Sequence, residues 1–326
     1  MSTSKMEAVS ELESPAKSEG STAVGIKPNE RARRLARRVA VITVVLPFLG
    51  VVAAVLLLWG NGVGWLELTL LAIMYAATIT GIGVGFHRYV THRAFQTNNT
   101  LKTILVILGS MAAEGPVLFW AATHRRHHSF SDREGDPHSP HLHDGGTLNA
   151  LRGFWHAHTS WMLSPEMTMK DLGYYAPDLL RDPIIFKLNR LYFVWVLSGL
   201  MLPAIVEGLI LRTWMGVLYG FLWGGLVRIF MVHQASWSIN SICHLYGSRP
   251  YQNRDQSSNN FLMALLSFGE GWHNNHHAFP SSAMHGLRWW EIDFSAYIIR
   301  TLEKLGLAWN VKRPALRAMT EARVRR

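Results

Sequence analysis

The chain of 326 residues is 49% hydrophobic and only 17% charged, with 13 tryptophans, 16 histidines and one cysteine. That balance is richer in apolar and aromatic side chains than an average soluble domain and points to an integral membrane protein. A single cysteine, Cys243, excludes a disulfide framework within the chain and any thiolate-rich zinc or iron–sulfur site, so a metal centre must rest on nitrogen and oxygen ligands. The formal charge of +10 comes partly from Arg31, Arg33, Arg34, Arg37 and Arg38 and from the tail Lys312, Arg313, Arg317, Arg323, Arg325 and Arg326. Beside membrane spans such basic segments anchor a chain against anionic lipid, and no nucleic-acid partner is expected.

In chain order, residues 1–38 are polar or basic without a period and are expected to form a disordered cytoplasmic leader. The apolar run at 39–60 is long enough to span a bilayer, and no convincing cleavage site follows it, so it is expected to be a transmembrane helix rather than a signal peptide. A second span is predicted over 65–86, making a hairpin with the first. The run from Leu101 to Trp120 carries Lys102 and is broken by Glu114, Gly115 and Pro116; ionisable residues are expensive at mid-membrane, so it is read as a buried or re-entrant helix at the cytoplasmic face. Spans at 191–211 and 214–232 flank Arg212 and Thr213 as a second hairpin, with Glu207 and Arg228 near helix ends or facing partner helices. The expected architecture is an all-α membrane domain over 39–326, with four transmembrane helices in two hairpins and a cytoplasmic helical cap from 87–190 and 233–326. Every histidine then lies on one side, which the positive-inside rule makes cytoplasmic.

The histidines cluster just beyond the apolar runs. In HRRHH, His124, His127 and His128 stand at i, i+3 and i+4, one face of a helix, and His273, His276 and His277 repeat that spacing in HNNHH. His87 and His92 in HRYVTH are five apart and cannot share a face of a regular helix comfortably, so one is expected near the end of the second span and the other in the following turn. One such box would suit a solvated polar turn, but the repeated spacing with HRYVTH points to a multinuclear metal site. Spacing alone does not decide whether His244, four residues after Asn240, belongs to it. His138, His141, His143, His156, His158 and His285 are expected to be surface or structural residues, and His233 to support the site from the end of a span.

The phrases HRYVTHRAF, THRRHHSFSDREGDPHSP, SWSINSICHLYG, GEGWHNNHHAFP and RWWEIDFSAYIIRTLEKLGLAWNVK resemble those of membrane fatty-acid desaturases of the acyl-CoA (stearoyl-CoA, delta-9) family, bacterial type. The resemblance covers most of the chain beyond Val39. It implies a di-iron centre held by His87, His92, His124, His127, His128, His244, His273, His276 and His277, with Asn240 holding a metal-bound water. Imidazole alone would equally accept zinc, copper or nickel, so iron rests on the resemblance. The same resemblance implies dioxygen as co-substrate, because unactivated methylene groups lie beyond ordinary acid–base chemistry.

The implied reaction places a cis double bond in a long acyl chain near carbon nine. Hydroxylation or alkyne formation on the same scaffold is the alternative, and a metal transporter is disfavoured because it needs ligands at bilayer depth. Trp120, Trp237 and Trp272, beside the boxes, are candidates for lining an acyl tunnel or for packing. Ala122 and Thr123 stand where animal acyl-CoA enzymes carry an Arg-Asp pair, which leaves the carrier open among acyl-CoA, acyl carrier protein and acyl lipid. With no His-Pro-Gly-Gly phrase and too few cysteines for a fused ferredoxin, electrons must come from a separate ferredoxin, cytochrome or flavin reductase. The location implied is a bacterial inner membrane with the site facing the cytoplasm. Replacing His276 or His127 with Ala is expected to abolish product while leaving membrane insertion intact, and Asn240→Ala to impair turnover with a smaller loss of metal. Product yield, metal content and membrane fractionation of the three variants check this together.

Overall fold

A computed structural model describes residues 30–142, 146–163 and 169–323; His143, Arg325, Arg326 and most of the expected leader, 1–29, lie outside the described residues. The first helix, α1 (Glu30–Asn61), starts well before the expected position 39. The basic segment can be helical because it contains no breaker and Glu30 pairs with Arg34 one turn on at 2.7 Å. Helix α2 (Trp65–Thr80) continues as a π-helix over Gly81–Thr91, followed by β1 (Gln96–Thr97), α3 (Asn99–Ser110) and α4 (Val117–Phe130). Then come α5 (Thr147–His158), α6 (Met169–Tyr175), α7 (Pro177–Leu180), α8 (Pro183–Arg190) and α9 (Tyr192–Leu211). Helix α10 (Trp214–Gly220) runs through a second π segment, Phe221–Val227, into α11 (Arg228–Leu245). The remainder comprises α12 (Phe261–Leu266), α13 (His273–Ala278), α14 (Phe294–Lys304), β2 (Ala308–Trp309) and α15 (Leu316–Glu321). The departures from an all-helical architecture among the described residues are the short antiparallel β1–β2 pair and three isolated antiparallel bridges, Ser248 with Asn259, Tyr251 with Arg323 and Asn259 with Trp272.

Four helical stretches are long and apolar enough to cross a membrane: Arg33–Leu57, Trp65–Thr91, Tyr192–Leu211 and Trp214–Leu245. Only 17% of the first and 22% of the third are buried inside the molecule, so their apolar surface needs another cover, as lipid would supply. The second and fourth outrun the expected ends at 86 and 232. At 27 residues the second is roughly 40 Å long, more than the about 30 Å of hydrocarbon in a bilayer requires. His87 and His244 therefore sit on helical extensions of the spans rather than in loops. Helix α1 packs on the Phe221–Val227 segment and α11 of the fourth span, whereas α9 and α10 pack on each other across the link Arg212–Thr213.

The run from Leu101 to Trp120 is two helices, α3 and α4, broken at Glu114–Pro116, and Lys102 is paired with Asp182 at 2.7 Å. Buried Arg228 donates to the carbonyls of Gly224, Met111 and Gly199, tying the fourth span to the end of α3 and to α9. The main core joins Ile79, Ile82 and Phe86 to Val106, Val117, Leu118, Ile185 and Val232, so the second span, α4 and α11 share one apolar centre. Span 2 and α3 touch through backbone: a Cβ at Gly81 would lie 2.1 Å from the Gly109 nitrogen. Neither backbone can retreat, so Gly81→Ala is expected to cost about 1–3 kcal/mol and lower the thermal unfolding midpoint in detergent by several degrees. An unchanged midpoint would contradict this packing.

Candidate metal centre

The eight box histidines and His244 converge into two groups whose ligand atoms lie within 4.8 Å of one another: His87, His92, His124, His128 and His276, and His127, His244, His273 and His277. HRRHH and HNNHH are each divided between the groups, whereas both histidines of HRYVTH fall in the first. His124 and His128, one turn apart on α4, face the first, while His127 faces the second; in α13, His276 faces the first, and His273 and His277 the second. His87 and His92 reach one point because the π-helix closes on five-residue hydrogen bonds, His92 N–H to the His87 carbonyl at 3.1 Å. The wider turn stacks residues that an α-helix would splay.

In the first group four Nε2 atoms form a ring: His87 to His124 is 2.9 Å, His124 to His128 2.9 Å, His128 to His276 2.9 Å, and His276 to His87 3.1 Å. His92 Nε2 lies 3.0 Å from His124 Nε2. A cation about 2.1 Å from each nitrogen would give edges of about 3.0 Å at right angles and about 3.4 Å in a tetrahedron. The ring's spacing is compatible with one cation held between these nitrogens.

Four carboxylates stand behind the rings. The Nδ1 atoms of His87, His127, His244 and His277 bond Glu270, Asp136, Asp132 and Asp255, the last three at 3.0, 2.9 and 2.8 Å. With the proton held at Nδ1, the Nε2 lone pair is turned toward the cluster, and the Nε2 atoms of His127 and His277 are buried with no protein partner. Burial, reinforced by neighbouring imidazoles, pushes His92, His124, His128, His273, His276 and His277 well below the usual imidazole range, so these are neutral donors at physiological pH. Burial also disfavours the His127 cation, but Asp136 outweighs it and raises that ring. Asp132 is held down at about 2 against its burial by the hydrogen bond to His244.

The fatty acid desaturase family matches residues 64–313 of the chain. The chain is 48% identical over 281 residues to a hex-5-enoyl-[acyl-carrier protein] acetylenase of Moorena producens, covering 86% of this chain and 87% of the relative. It is 40% identical to an sn-1 stearoyl-lipid 9-desaturase of Anabaena variabilis, over 71% of this chain and 78% of that one. An icosanoyl-CoA 5-desaturase of Limnanthes douglasii is 38% identical over 77% of this chain and 65% of its own. The chain belongs to the fatty acid desaturase family. This desaturase is thus an oxidoreductase of lipid metabolism, and its histidine clusters are compatible with a metal site.

The residues between the desaturase's histidines hold the boxes in place. Asn274 bonds the Tyr251 backbone and the Ser257 carbonyl, and Asn275 bonds the His285 carbonyl, Glu291 and Asn259, locking the short α13 on both sides. Arg125 plays that part on α4, with Asp178 and the carbonyls of Val90, Thr91 and Tyr175. Asn240 lies one turn before His244 on α11, partly buried, with no hydrogen bond to its side chain among the described residues. The tryptophans pack near the site: Trp120 stacks on His124 at 5.2 Å, its N–H on Glu114; Trp237 stacks on His233; and Trp272 donates to the Ile292 carbonyl.

Sequence spacing missed the carboxylates, and it left His138 and His285 open between surface and structural positions, of which the structure shows the second. His285 is buried, 4.5 Å from the His276 ring and 3.5 Å from Glu270, and buried His138 lies 4.4 Å from the His127 ring. They are packed against the clusters, not exposed. Asp132 and Asp136 stand four and nine residues beyond His128 and His127, and Glu270 three before His273, so a search for acids flanking each box would have found them. Asp255 lies outside any box, and only the fold brings it to His277. His158 bonds Ser241 and Gln234, His233 the Ala112 carbonyl, and His141 the His244 carbonyl; His156 is partly buried on α5.

Replacing Asp136 with Asn or Glu270 with Gln should lower metal affinity about 10–100-fold while keeping the ligands, readable by competition with a chelator. For the metal-free protein the depressed imidazoles bind fewer protons folded than unfolded. Its thermal midpoint should therefore fall as pH drops below about 6.5, where the unfolded histidines take up protons. A midpoint that rose with acidification would contradict the buried neutral state.

Proposed function

We propose that the protein catalyses oxygen-dependent dehydrogenation of a long acyl chain at a histidine-ligated di-iron centre, placing a cis double bond near carbon nine. The observation that carries the reading is the gathering of the eight box histidines and His244 into adjacent groups of five and four. His87, His92, His124, His128 and His276 would hold one ion, and His127, His244, His273 and His277 the other, with Asn240 on α11 near the smaller group through a water. Iron there would supply the oxygen chemistry that removes hydrogen from unactivated carbon.

The chain's own residues do the rest. Glu270, Asp136, Asp132 and Asp255 keep four imidazoles in the tautomer that offers Nε2 inward. Trp120, stacked on His124, presents an apolar wall beside the first group. The clusters sit where the second and fourth spans leave the proposed bilayer, which suits an acyl chain of membrane origin. The basic segment from Arg31 to Arg38 supports a cytoplasmic orientation, in a bacterial inner membrane, with a membrane domain formed by two span hairpins and their cap. The carrier is acyl-CoA, acyl carrier protein or acyl lipid, the three kinds that the relatives' names contain. Electrons come from a separate ferredoxin, cytochrome or flavin reductase.

A second reading, alkyne formation from an existing double bond, is favoured by the 48% identity to the acetylenase. Both remove two hydrogens from adjacent carbons, so the products separate them. Gas chromatography with mass spectrometry of total fatty acids is the test, in an aerobic host without its own desaturase, supplied with an electron donor and expressing the parent or His276→Ala. A new monounsaturated acid made by the parent alone is expected, and the position of its double bond checks carbon nine. An acetylenic or hydroxylated product would replace this reading with the corresponding oxidation.

A further inference from the structure

We propose that residues 261–269 form a re-entrant loop immersed in the hydrocarbon of the bilayer, seating the cap on the membrane beside span 2. The proposal rests on reading the four long apolar helices as membrane spans. The segment FLMALLSFG contains no charged residue, and its one polar side chain, Ser267, is buried and donates to the Met263 carbonyl at 2.6 Å. Phe261, Leu262 and Leu266 are 53, 59 and 43% exposed, a surface that water would not favour. The neck is closed by Asn260 N–H donating to the Gly271 carbonyl at 2.8 Å.

Depth comes from Tyr75, whose hydroxyl donates to the Leu266 carbonyl at 2.5 Å. Tyr75 lies ten residues into span 2 (75 − 65), roughly 15 Å along it and about half-way through a hydrocarbon core of about 30 Å. The tip of the loop is thus level with the interior of the bilayer. Its backbone is equipped for that setting. A helix leaves its last carbonyls without partners, and water ordinarily takes them. Here Met263 accepts from Ser267 N–H at 2.9 Å, Ala264 from Gly269 N–H at 2.7 Å, Leu265 from Phe268 N–H at 3.4 Å, and Leu266 from Tyr75. None of the four depends on water, the condition that hydrocarbon imposes on a helix end.

The return turn places Phe268 in the left-handed region, φ 56°, a conformation unfavourable for a bulky residue but one that lets Gly269 reach back to Ala264. The Phe268 ring then contacts Tyr75 at 6.2 Å and Phe294 at 5.1 Å. Just before Phe294 lie Trp289 and Trp290, 91 and 46% exposed, with Arg288 over the Trp290 ring, side chains suited to the headgroup level above an immersed loop. The chain leaves the loop directly into Glu270 and His273, so the loop sets the depth of the metal groups relative to the lipid.

Nitroxide labels at Leu262→Cys and Leu266→Cys test this in the full chain, reconstituted in vesicles of equal parts phosphatidylcholine and phosphatidylglycerol. Fully buried Cys243 leaves the background silent, Leu202→Cys in the third span serves as lipid reference, and Lys304→Cys on α14 as aqueous reference. Collision with oxygen should exceed collision with a water-soluble nickel chelate at both loop positions, as at Leu202, and the order should reverse at Lys304. Nickel-favoured collision at both loop positions, with oxygen still favoured at Leu202, would overturn the loop and leave the spans standing. Nickel-favoured collision at Leu202 as well would overturn the membrane reading beneath it.

Discussion

The architecture of the site turns on one buried guanidinium. Arg88, next to His87 on span 2, is fully buried and bonds Glu270, Asp293 and the Ala283 carbonyl. An unpaired charge there would be prohibitive, so Arg88 compels two carboxylates from distant parts of the chain to meet it. Each carboxylate then orders something else. The second oxygen of Glu270 holds His87, and Asp293 accepts from the His285 and Gly286 backbone and caps α14. Despite its burial, Glu270 stays below the usual carboxylate range because Arg88 and His87 face it.

The two histidine groups follow from this arrangement by division of labour within each box. The histidines turn inward, and the residues between them turn outward to fasten the helix. Helix α13 has only six residues, too few to be stable by propensity, and persists because Asn274 and Asn275 bind it to the 251–259 segment and to Glu291. Nitrogen lone pairs about 3 Å apart repel one another unless a cation stands between them, so the rigidity imposed by the carboxylates and asparagines is what makes such a ring tenable.

Membership of the desaturase family brings these observations under one chemistry without fixing the product. The relatives are named for triple-bond and double-bond formation, at different positions and on different carriers, over much the same length of chain. In this chain Trp120, pinned by Glu114, which also bonds Ser236 of α11, stands where α4 meets the fourth span beside the first group.

Much was legible in the amino-acid order alone. The apolar runs predicted the four long helices because spanning hydrocarbon is a demand on composition and length. The i, i+3, i+4 spacing put the three rings of each such box on one helix face, able to meet at one point or at two adjacent points, because helix geometry is local. Their division into five and four, the π-helical turn that unites His87 with His92, the burial of His138 and His285, and the recruitment of Asp255 were decided by tertiary structure. So were the ends of the second and fourth spans, which stay helical past their apolar stretch because their histidines and Arg88 are held by partners in the cap. Sequence specifies what each turn offers; which lone pairs meet depends on buried charges finding partners that lie as far apart as 205 positions, as Arg88 and Asp293 do.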